Sequence, residues 1–106
     1  MGKINSKQKG KAGELELSKV LKEAGFEARR SQQYCGVAGD SDVIGVPGYH
    51  IECKRVEKLN IENAMKQASS DAKEGETPVV CHRKNRCDWL VTMRAVDWLK
   101  LIKQKG

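Results

Sequence analysis

Apolar residues recur at steps of three and four near the start of the chain, the spacing that lines one face of an α-helix. The stripe consists of Gly13, Leu17, Val20, Leu21 and Ala24. Because Gly25 follows as a C-terminal stop, the pattern predicts a helix over residues 9–24. Glu16 falls on the opposite face of this helix, together with Lys19, Lys22 and Glu23.

Glu14 borders the apolar stripe, and a carboxylate in that position needs a partner. Two explanations are open. The side chain gains about 0.3–1 kcal/mol from the positive N-terminal end of its own helix, or it pairs with a group elsewhere in the fold. Leu15 lies off the stripe and is therefore a candidate exposed contact for a second subunit.

The middle of the chain alternates in character as strands do. It predicts, in order, a strand at 26–30, a polar loop at 31–39, and two strands at 43–46 and 49–54 joined by a Pro47-Gly48 turn. Residues two apart in a strand share a face, so Glu52 and Lys54 point the same way. Ile51 and Cys53 then point to the other side, into the core.

The turn folds Asp42 back toward Glu52 and Lys54, so that two carboxylates and one ammonium converge at the mouth of a small sheet. Mg²⁺ takes carboxylate oxygens and keeps waters and substrate phosphates as its other ligands, so this arrangement suits it. The competing explanation is a solvated ion pair on one strand face, which contributes about 0–1 kcal/mol.

The third quarter of the chain predicts a second helix and a hairpin. Asn60 is a good N-cap for this helix. Its buried stripe consists of Ile61, Ala64, Met65, Ala68 and Ala72, before Gly75 and Pro78 end it, while Gln67 and Asp71 share a different face. Strands at 77–81 and 88–93 flank a basic turn at 82–86.

With Lys84 and Asn85 at the tip of this turn, Arg83 is predicted to lie opposite Arg86. Like charges in that position are unfavourable unless an anion such as a DNA phosphate binds there. A solvated hairpin tip is the alternative. The last helix, at 94–103, places Ala95, Trp98, Leu99 and Ile102 at helical spacing, which predicts Trp98 in the core.

The element order is helix, strand, hairpin, helix, hairpin, helix. It predicts the α/β class (α+β mixed), with a central mixed β-sheet of about five strands flanked by helices. A chain of 106 residues is long enough for one domain with one modest core. We expect a flexible basic arm at 1–8 and the folded domain at 9–103.

The chain is basic, with 20 Lys and Arg against 14 Asp and Glu, a formal charge of +6 and a pI near 9.3. This balance favours nucleic acid as a partner. The candidate DNA-binding residues are Lys9, Lys11, Arg29, Arg30, Arg55, Gln67, Arg83, Lys84 and Arg86.

No segment approaches the roughly 18 consecutive apolar residues of a membrane span, and the Lys-rich start lacks the apolar core of a signal peptide. We therefore expect no membrane partner, a cytosolic location and four reduced cysteines. Cys81-His82-x₄-Cys87 lacks the paired spacing of structural zinc sites, so zinc is not expected.

Three motifs together resemble the PD-(D/E)XK nuclease superfamily, and specifically the archaeal-type Holliday junction resolvases and their phage relatives. They are Lys9-Gly10-x-Ala12-x-Glu14, Ser41-Asp42-Val43-Ile44 and Ile51-Glu52-Cys53-Lys54, in the order and at the spacing of the superfamily. The segment 78–85 and Trp89-Leu90-Val91 resemble the second half of small phage members. Ser41 stands where the superfamily's name places proline.

The resemblance implies a restriction-endonuclease-like core and a metal-dependent endodeoxyribonuclease. It implies that Asp42 and Glu52 ligate Mg²⁺, for which Mn²⁺ substitutes, with the backbone carbonyl of Cys53 and with Glu14. Lys54 is implied to orient or to deprotonate the attacking water, and which of the two stays open. Asp40 is an alternative ligand to Asp42 because the two are two residues apart.

The resemblance also implies a homodimer that resolves four-way DNA junctions, with one site per subunit, in the cytosol of a bacterium, an archaeon or a phage-infected cell. Two alternatives stay open. One is another nuclease of the same superfamily that acts on nicked, flapped or damaged DNA, and the other is a non-catalytic DNA-binding module.

Overall fold

The computed structural model describes residues 6–31 and 41–105, and the side chains of 10–31 and 41–104. In this part of the chain the helices are α1 (Ser6–Glu23), α2 (Ile61–Asp71) and α3 (Ala95–Lys105). The strands are β1 (Arg29–Arg30), β2 (Val43–Ile44), β3 (Tyr49–Arg55), β4 (Thr77–Arg83) and β5 (Leu90–Met93). The predicted element order is confirmed.

The strands form one mixed sheet in the order β1-β2-β3-β4-β5. β3 and β4 are parallel, and the other neighbours are antiparallel. The parallel pair is connected through α2, as such a pair requires a crossover. The predicted class, a mixed five-stranded sheet flanked by helices, is therefore confirmed. No helix in the described residues is both long enough and apolar enough to cross a membrane.

Buried side chains cover both faces of the sheet. On one face lie Leu17, Ala28, Val43, Ile51, Cys53, Val79 and Cys81, and on the other Val80 packs with Ala64 and Ala68 of α2. Burying a side chain of Val or Leu size contributes about 1.5–3 kcal/mol. Ile51 and Cys53 face the core as the alternation predicts, and the Asn60 N-cap is confirmed by its side chain, which accepts the N–H of Asn63 at 3.0 Å.

Two glycines determine where α1 lies. Gly25 has φ +103°, and the N–H groups of Gly25 and Phe26 donate to the carbonyls of Lys22 and Leu21 at 3.0 and 3.1 Å, which confirms the predicted helix stop. Gly13 is buried against β3. A Cβ on Gly13 would lie 2.5 Å from the Cβ of Arg55, so only glycine permits this approach of α1 to the sheet.

Several local predictions are wrong. The strand predicted at 26–30 is limited to Arg29–Arg30, the one at 43–46 to Val43–Ile44, and the one at 88–93 to Leu90–Met93. The register His82↔Leu90 leaves a loop longer than two residues, so Arg83 does not face Arg86. Glu16 does not point away from the sheet, because it is half-buried and pairs with Arg83 of β4.

Trp98 was predicted in the core but is 54% exposed. The reason is the orientation of α3. Asp97 is buried and accepts from Nε of Arg94 at 2.8 Å, and the polar side chains of Lys100 and Gln104 line a cavity against the rest of the domain. The apolar stripe of α3 consequently points outward.

Candidate active site

Asp42 is held at the end of the sheet where β1 and β2 stop and β3 continues. Its N–H donates to the carbonyl of Ile51 at 2.8 Å, and its carbonyl accepts the N–H of Ser31 at 3.0 Å. Its side-chain Oδ2 accepts the backbone N–H of Cys53 at 2.8 Å. These three bonds fix the carboxylate beside the middle of β3. The alternative ligand, Asp40, lies outside the described residues.

Glu14 reaches this end of the sheet from α1 and is paired with Arg30 of β1, whose Nε donates to Oε1 at 2.8 Å. Because α1 begins at Ser6, Glu14 lies more than two turns inside the helix. The field of a helix end falls off within its first turn. Of the two explanations open from the sequence, a partner elsewhere in the fold is therefore the one observed.

Glu52 is 4% exposed, and its partner is a buried histidine that the sequence analysis missed. Nε2 of His50 lies 3.0 Å from Oε1 of Glu52, and Nδ1 lies 3.0 Å from Oγ of Ser41. The signal was available, because His50 and Glu52 are two apart on a strand and therefore share a face.

Asp71, at the end of α2, was also missed as a site residue. One ring nitrogen of His50 and one carboxylate oxygen each of Glu52 and Asp71 all lie within 4.8 Å of one another. Within the described residues no such group joins Glu14, Asp42 and Glu52. The reason is that each of these three carboxylates is turned toward its own hydrogen-bond donor.

The carboxylates nevertheless act on one another electrostatically. Burial raises the pKa of Glu14 above its usual range, and the negative charge of Asp42 raises it further, against the opposing effects of Arg30 and Lys54. Burial also raises the pKa of Glu52, again with Asp42 adding to it and with its imidazole partner and Lys54 opposing. Burial is therefore the main cause of both raised pKa values, and the charge of Asp42 adds to it.

The donor set at this site fits a hard divalent cation. Only one oxygen of each carboxylate carries a hydrogen bond from the described residues, which leaves Oε2 of Glu14, Oδ1 of Asp42 and Oε2 of Glu52 available. In an extended strand the N–H and C=O of one residue point to the same side, so the carbonyl of Cys53 faces Asp42. Carboxylate and carbonyl oxygens suit Mg²⁺ and Mn²⁺.

Lys54 completes the group from the same face of β3 as Glu52. Its positive charge opposes the rise in the pKa of both Glu14 and Glu52, so it acts on both carboxylates. In the part of the chain that the structure describes, Lys54 forms no ion pair within 4.0 Å.

The candidate DNA-binding residues divide into two groups. Lys11, Arg29, Gln67, Lys84 and Arg86 are exposed, and the side chain of Lys9 lies outside the described ones. Arg30 pairs with Glu14, as above. Arg55 lies 3.7 Å from Glu16 and donates to Asn85 at 2.9 Å, and Arg83 donates to Glu16 and to the carbonyl of Cys87.

The described cysteines, Cys53, Cys81 and Cys87, are free thiols. Cys81 is buried in the core, where burial raises its pKa to about 11, whereas Cys87 is exposed. His82, between them in sequence, points to the other face of β4 and lies 2.8 Å from Oγ1 of Thr92. These three side chains are not a metal-binding group among the described residues.

A mixed five-stranded sheet that carries Asp42 beside a strand with the Glu52-x-Lys54 pattern defines a class of protein, the PD-(D/E)XK nucleases. The chain belongs to one family of that class, described as phage putative PDDEXK endonuclease, whose model matches residues 5–105. The predicted superfamily is thereby confirmed, and the chain is a nuclease.

A solved structure with a similar fold is that of Hjc, a Holliday junction resolvase from the archaeal hyperthermophile Archaeoglobus fulgidus. The TM-score is 0.59 at 23% sequence identity, over 77% of this chain and 74% of that chain. This likeness shows the fold. No curated protein matches the chain.

Proposed function

We propose that this nuclease is a Mg²⁺-dependent endonuclease selective for branched DNA, and that it resolves four-way junctions by paired, symmetric nicks. The observation that carries the proposal is the position of Asp42, whose carboxylate is held by the N–H of Cys53 beside Glu52 and Lys54. The substrate class is supported by the fold shared with a protein named as a Holliday junction resolvase.

When bound by Asp42, Glu52, the carbonyl of Cys53 and Glu14, Mg²⁺ would activate water and neutralise charge that develops on the phosphate. The chain's own residues prepare the site for this chemistry. Asp42 is held through one oxygen by a main-chain N–H, and Glu52 is held through one oxygen by an imidazole. The ammonium of Lys54 holds the water or a phosphate oxygen in line, as a positioned charge does.

Phosphate contacts are assigned to the exposed basic side chains, Lys11, Arg29, Lys84 and Arg86. Arg83 is neutralised by Glu16 and supports the neighbouring loop instead. Such contacts bind DNA without reading its sequence, and their affinity falls steeply with salt. Selectivity for a branched substrate must then come from the shape of the DNA and from the spacing of two sites.

A second copy of this chain is the proposed source of the second site, and α3 with β5 is the proposed contact. Three large apolar side chains of α3, Trp98, Leu99 and Ile102, are 45–54% exposed on its outward face. On β5, an edge strand of the described sheet, Leu90 and Val91 are 57% and 63% exposed. An uncharged apolar edge strand invites pairing with another chain.

Charge and area both favour a second copy of this chain as the occupant of this surface. The apolar side chains of this surface carry no charge, so a DNA phosphate gains little from them, although the exposed Lys100 and Lys103 lie at other positions of α3. A basic chain of charge +6 approaches its own copy most easily where the facing surfaces carry no charge, as between Asp88 and Arg94. A stable dimer buries roughly 800 Å² per partner, so the proposed contact includes β5 as well as α3.

The test is cleavage of a labelled immobile four-way junction beside matched duplex, flap and single-stranded DNA, with Mg²⁺ or EDTA. Wild type is compared with Asp42→Asn and with Asp88→Asn, an exposed acid outside the site. The proposal expects paired symmetric nicks in the junction that EDTA and Asp42→Asn abolish and Asp88→Asn does not.

Two other results would change the proposed function. Cutting of flapped or nicked DNA with no preference for the junction would retain the site and change the substrate. Tight junction binding without cutting under any divalent metal would favour a DNA-binding module. We propose that the protein acts on branched DNA in the cytosol of a bacterium, an archaeon or a phage-infected cell.

A further inference from the structure

His50 is 1% exposed, and both of its ring nitrogens have partners at 3.0 Å, Ser41 on one side and Glu52 on the other. An ionised carboxylate only accepts hydrogen bonds, so Nε2 of His50 is the donor to an ionised Glu52. Nδ1 lies against the hydroxyl of Ser41, and Oε1 of Glu76 is 3.8 Å from the same nitrogen. The side chains of Ser41, His50 and Glu52 therefore form one continuous hydrogen-bonded row.

This chain controls which way a proposed metal ligand points. Of the two oxygens of Glu52, Oε1 is fixed to His50, and Oε2 has no hydrogen bond from the described residues. A Glu side chain that is free to rotate would lose conformational entropy on binding a cation. A Glu side chain that is already held by an imidazole does not.

We propose that Ser41 and His50 are positioning residues that hold the Glu52 carboxylate ready to bind a divalent cation. This inference rests on the proposed function, in which Glu52 is a ligand. Ser41 stands at the position where the superfamily's name has proline, and proline has no hydroxyl to offer. In this proposal Ser41 therefore helps to hold Glu52 through His50, and its presence in place of proline has a function.

The experiment measures Mn²⁺ binding to the free protein, without DNA, by electron paramagnetic resonance. Outer-shell partners of metal ligands change affinity by about 10–100-fold when removed. His50→Leu removes the donor to Glu52, and we expect it to weaken Mn²⁺ binding by about that factor. His50→Gln retains an N–H donor and an acceptor oxygen, and we expect it to restore most of the loss.

Ser41→Ala is the second test, and Thr92→Val is its matched control. The hydroxyl of Thr92 also lies 2.8 Å from a histidine ring nitrogen, that of His82, and neither residue belongs to the proposed metal site. Both variants lose one hydroxyl–imidazole hydrogen bond, so their unfolding midpoints should fall similarly. Only Ser41→Ala should weaken Mn²⁺ binding. This pair decides the matter if His50→Leu does not fold.

Each contrary result has a distinct meaning. Wild-type Mn²⁺ affinity in His50→Leu, or in Ser41→Ala if the former is unfolded, would overturn the positioning role and leave the proposed function intact. An equal loss of Mn²⁺ affinity in His50→Leu and His50→Gln would also overturn the positioning role, because an N–H donor at position 50 would then not restore the affinity. Wild-type protein that binds no Mn²⁺ would overturn the proposed function together with this inference.

Discussion

Nε of Arg30 lies 2.8 Å from Oε1 of Glu14, and this ion pair joins α1 to β1 beside the site. Arg30→Ala leaves the half-buried carboxylate without its partner. We expect a loss of about 1 kcal/mol in the free energy of unfolding, since the arginine is one-third exposed, and a lower cleavage rate at saturating DNA. Urea denaturation and single-turnover cleavage measure these two quantities.

Arg29→Ala is the matched control for that substitution, because Arg29 is the neighbouring arginine and is exposed. We expect it to weaken DNA binding without changing the cleavage rate at saturation. Equal effects of the two substitutions on both quantities would show that the Glu14 pair has no special role.

Lys54 is expected to act as an electrostatic orienter, because its charge acts on both Glu14 and Glu52. Lys54→Arg retains the charge but not a proton that is readily given up. We therefore expect the cleavage rate of Lys54→Arg to stay within about tenfold of wild type. The cleavage rate of Lys54→Ala should fall by roughly 10²–10³-fold. Equal loss in both variants, at equal DNA affinity, would favour the general-base role.

Glu52 should make the stability of the metal-free protein depend on pH. Its pKa is raised in the folded state, mainly by burial, so its contribution to stability is complete below about pH 4.5 and is lost as the pH rises through the raised pKa. In EDTA, the difference between the free energy of unfolding of Glu52→Gln and that of wild type should therefore increase in favour of the variant as the pH rises from 4 to 8. Glu62→Gln, an exposed position on α2, is the control substitution for the loss of one carboxylate.

Mg²⁺ should raise the unfolding midpoint of wild type at pH 7, because a ligand that binds only the folded state stabilises it by about 2.7 kcal/mol at one hundred times its dissociation constant. The unfolding midpoint of Glu52→Gln should rise much less on addition of Mg²⁺. A midpoint that rises equally in both proteins would mean that the cation binds without Glu52. Thermal unfolding monitored by circular dichroism in EDTA and in Mg²⁺ provides the comparison.

Trp98→Asp places a charge in the apolar stripe of α3, and we expect it to convert a dimer into a monomer. Leu15→Asp is the control, since Leu15 is 52% exposed on α1 and is the residue for which the sequence alone predicted a subunit contact. Sedimentation equilibrium at micromolar concentration, without DNA, gives the mass. A dimer that survives Trp98→Asp and dissociates with Leu15→Asp would move the interface to α1.

Gly13→Ala should push α1 away from β3, because the new Cβ would lie 2.5 Å from the Cβ of Arg55. We expect a loss of about 1–3 kcal/mol in the free energy of unfolding. Gly10→Ala, in the same helix with no atom within 4 Å of the new Cβ, should instead gain up to about 1 kcal/mol from helix propensity. Chemical denaturation of the two variants tests the close approach directly.

Much of the fold could be derived from the sequence because it depends on neighbours along the chain. The alternation at 49–54 predicted which residues of β3 face the core, and Gly25 and Asn60 marked a helix end and a helix start. Each of these signals depends on residues within one or two turns or on one strand. The Asp42 and Glu52-x-Lys54 motifs are local in the same sense, which is why the class of nuclease could be predicted.

The tertiary structure alone decided those partners of charged and buried polar groups that are distant in the sequence. Glu16 pairs with Arg83, Glu14 with Arg30 and His50 with Ser41, and each pair joins different segments of the chain. Trp98 shows that periodicity has the same limit. A helical stripe of apolar residues predicts that these side chains share a face, but it does not show whether that face packs against the rest of the domain. Periodicity specifies which side chains share a face, whereas only the packing of distant elements determines what that face meets.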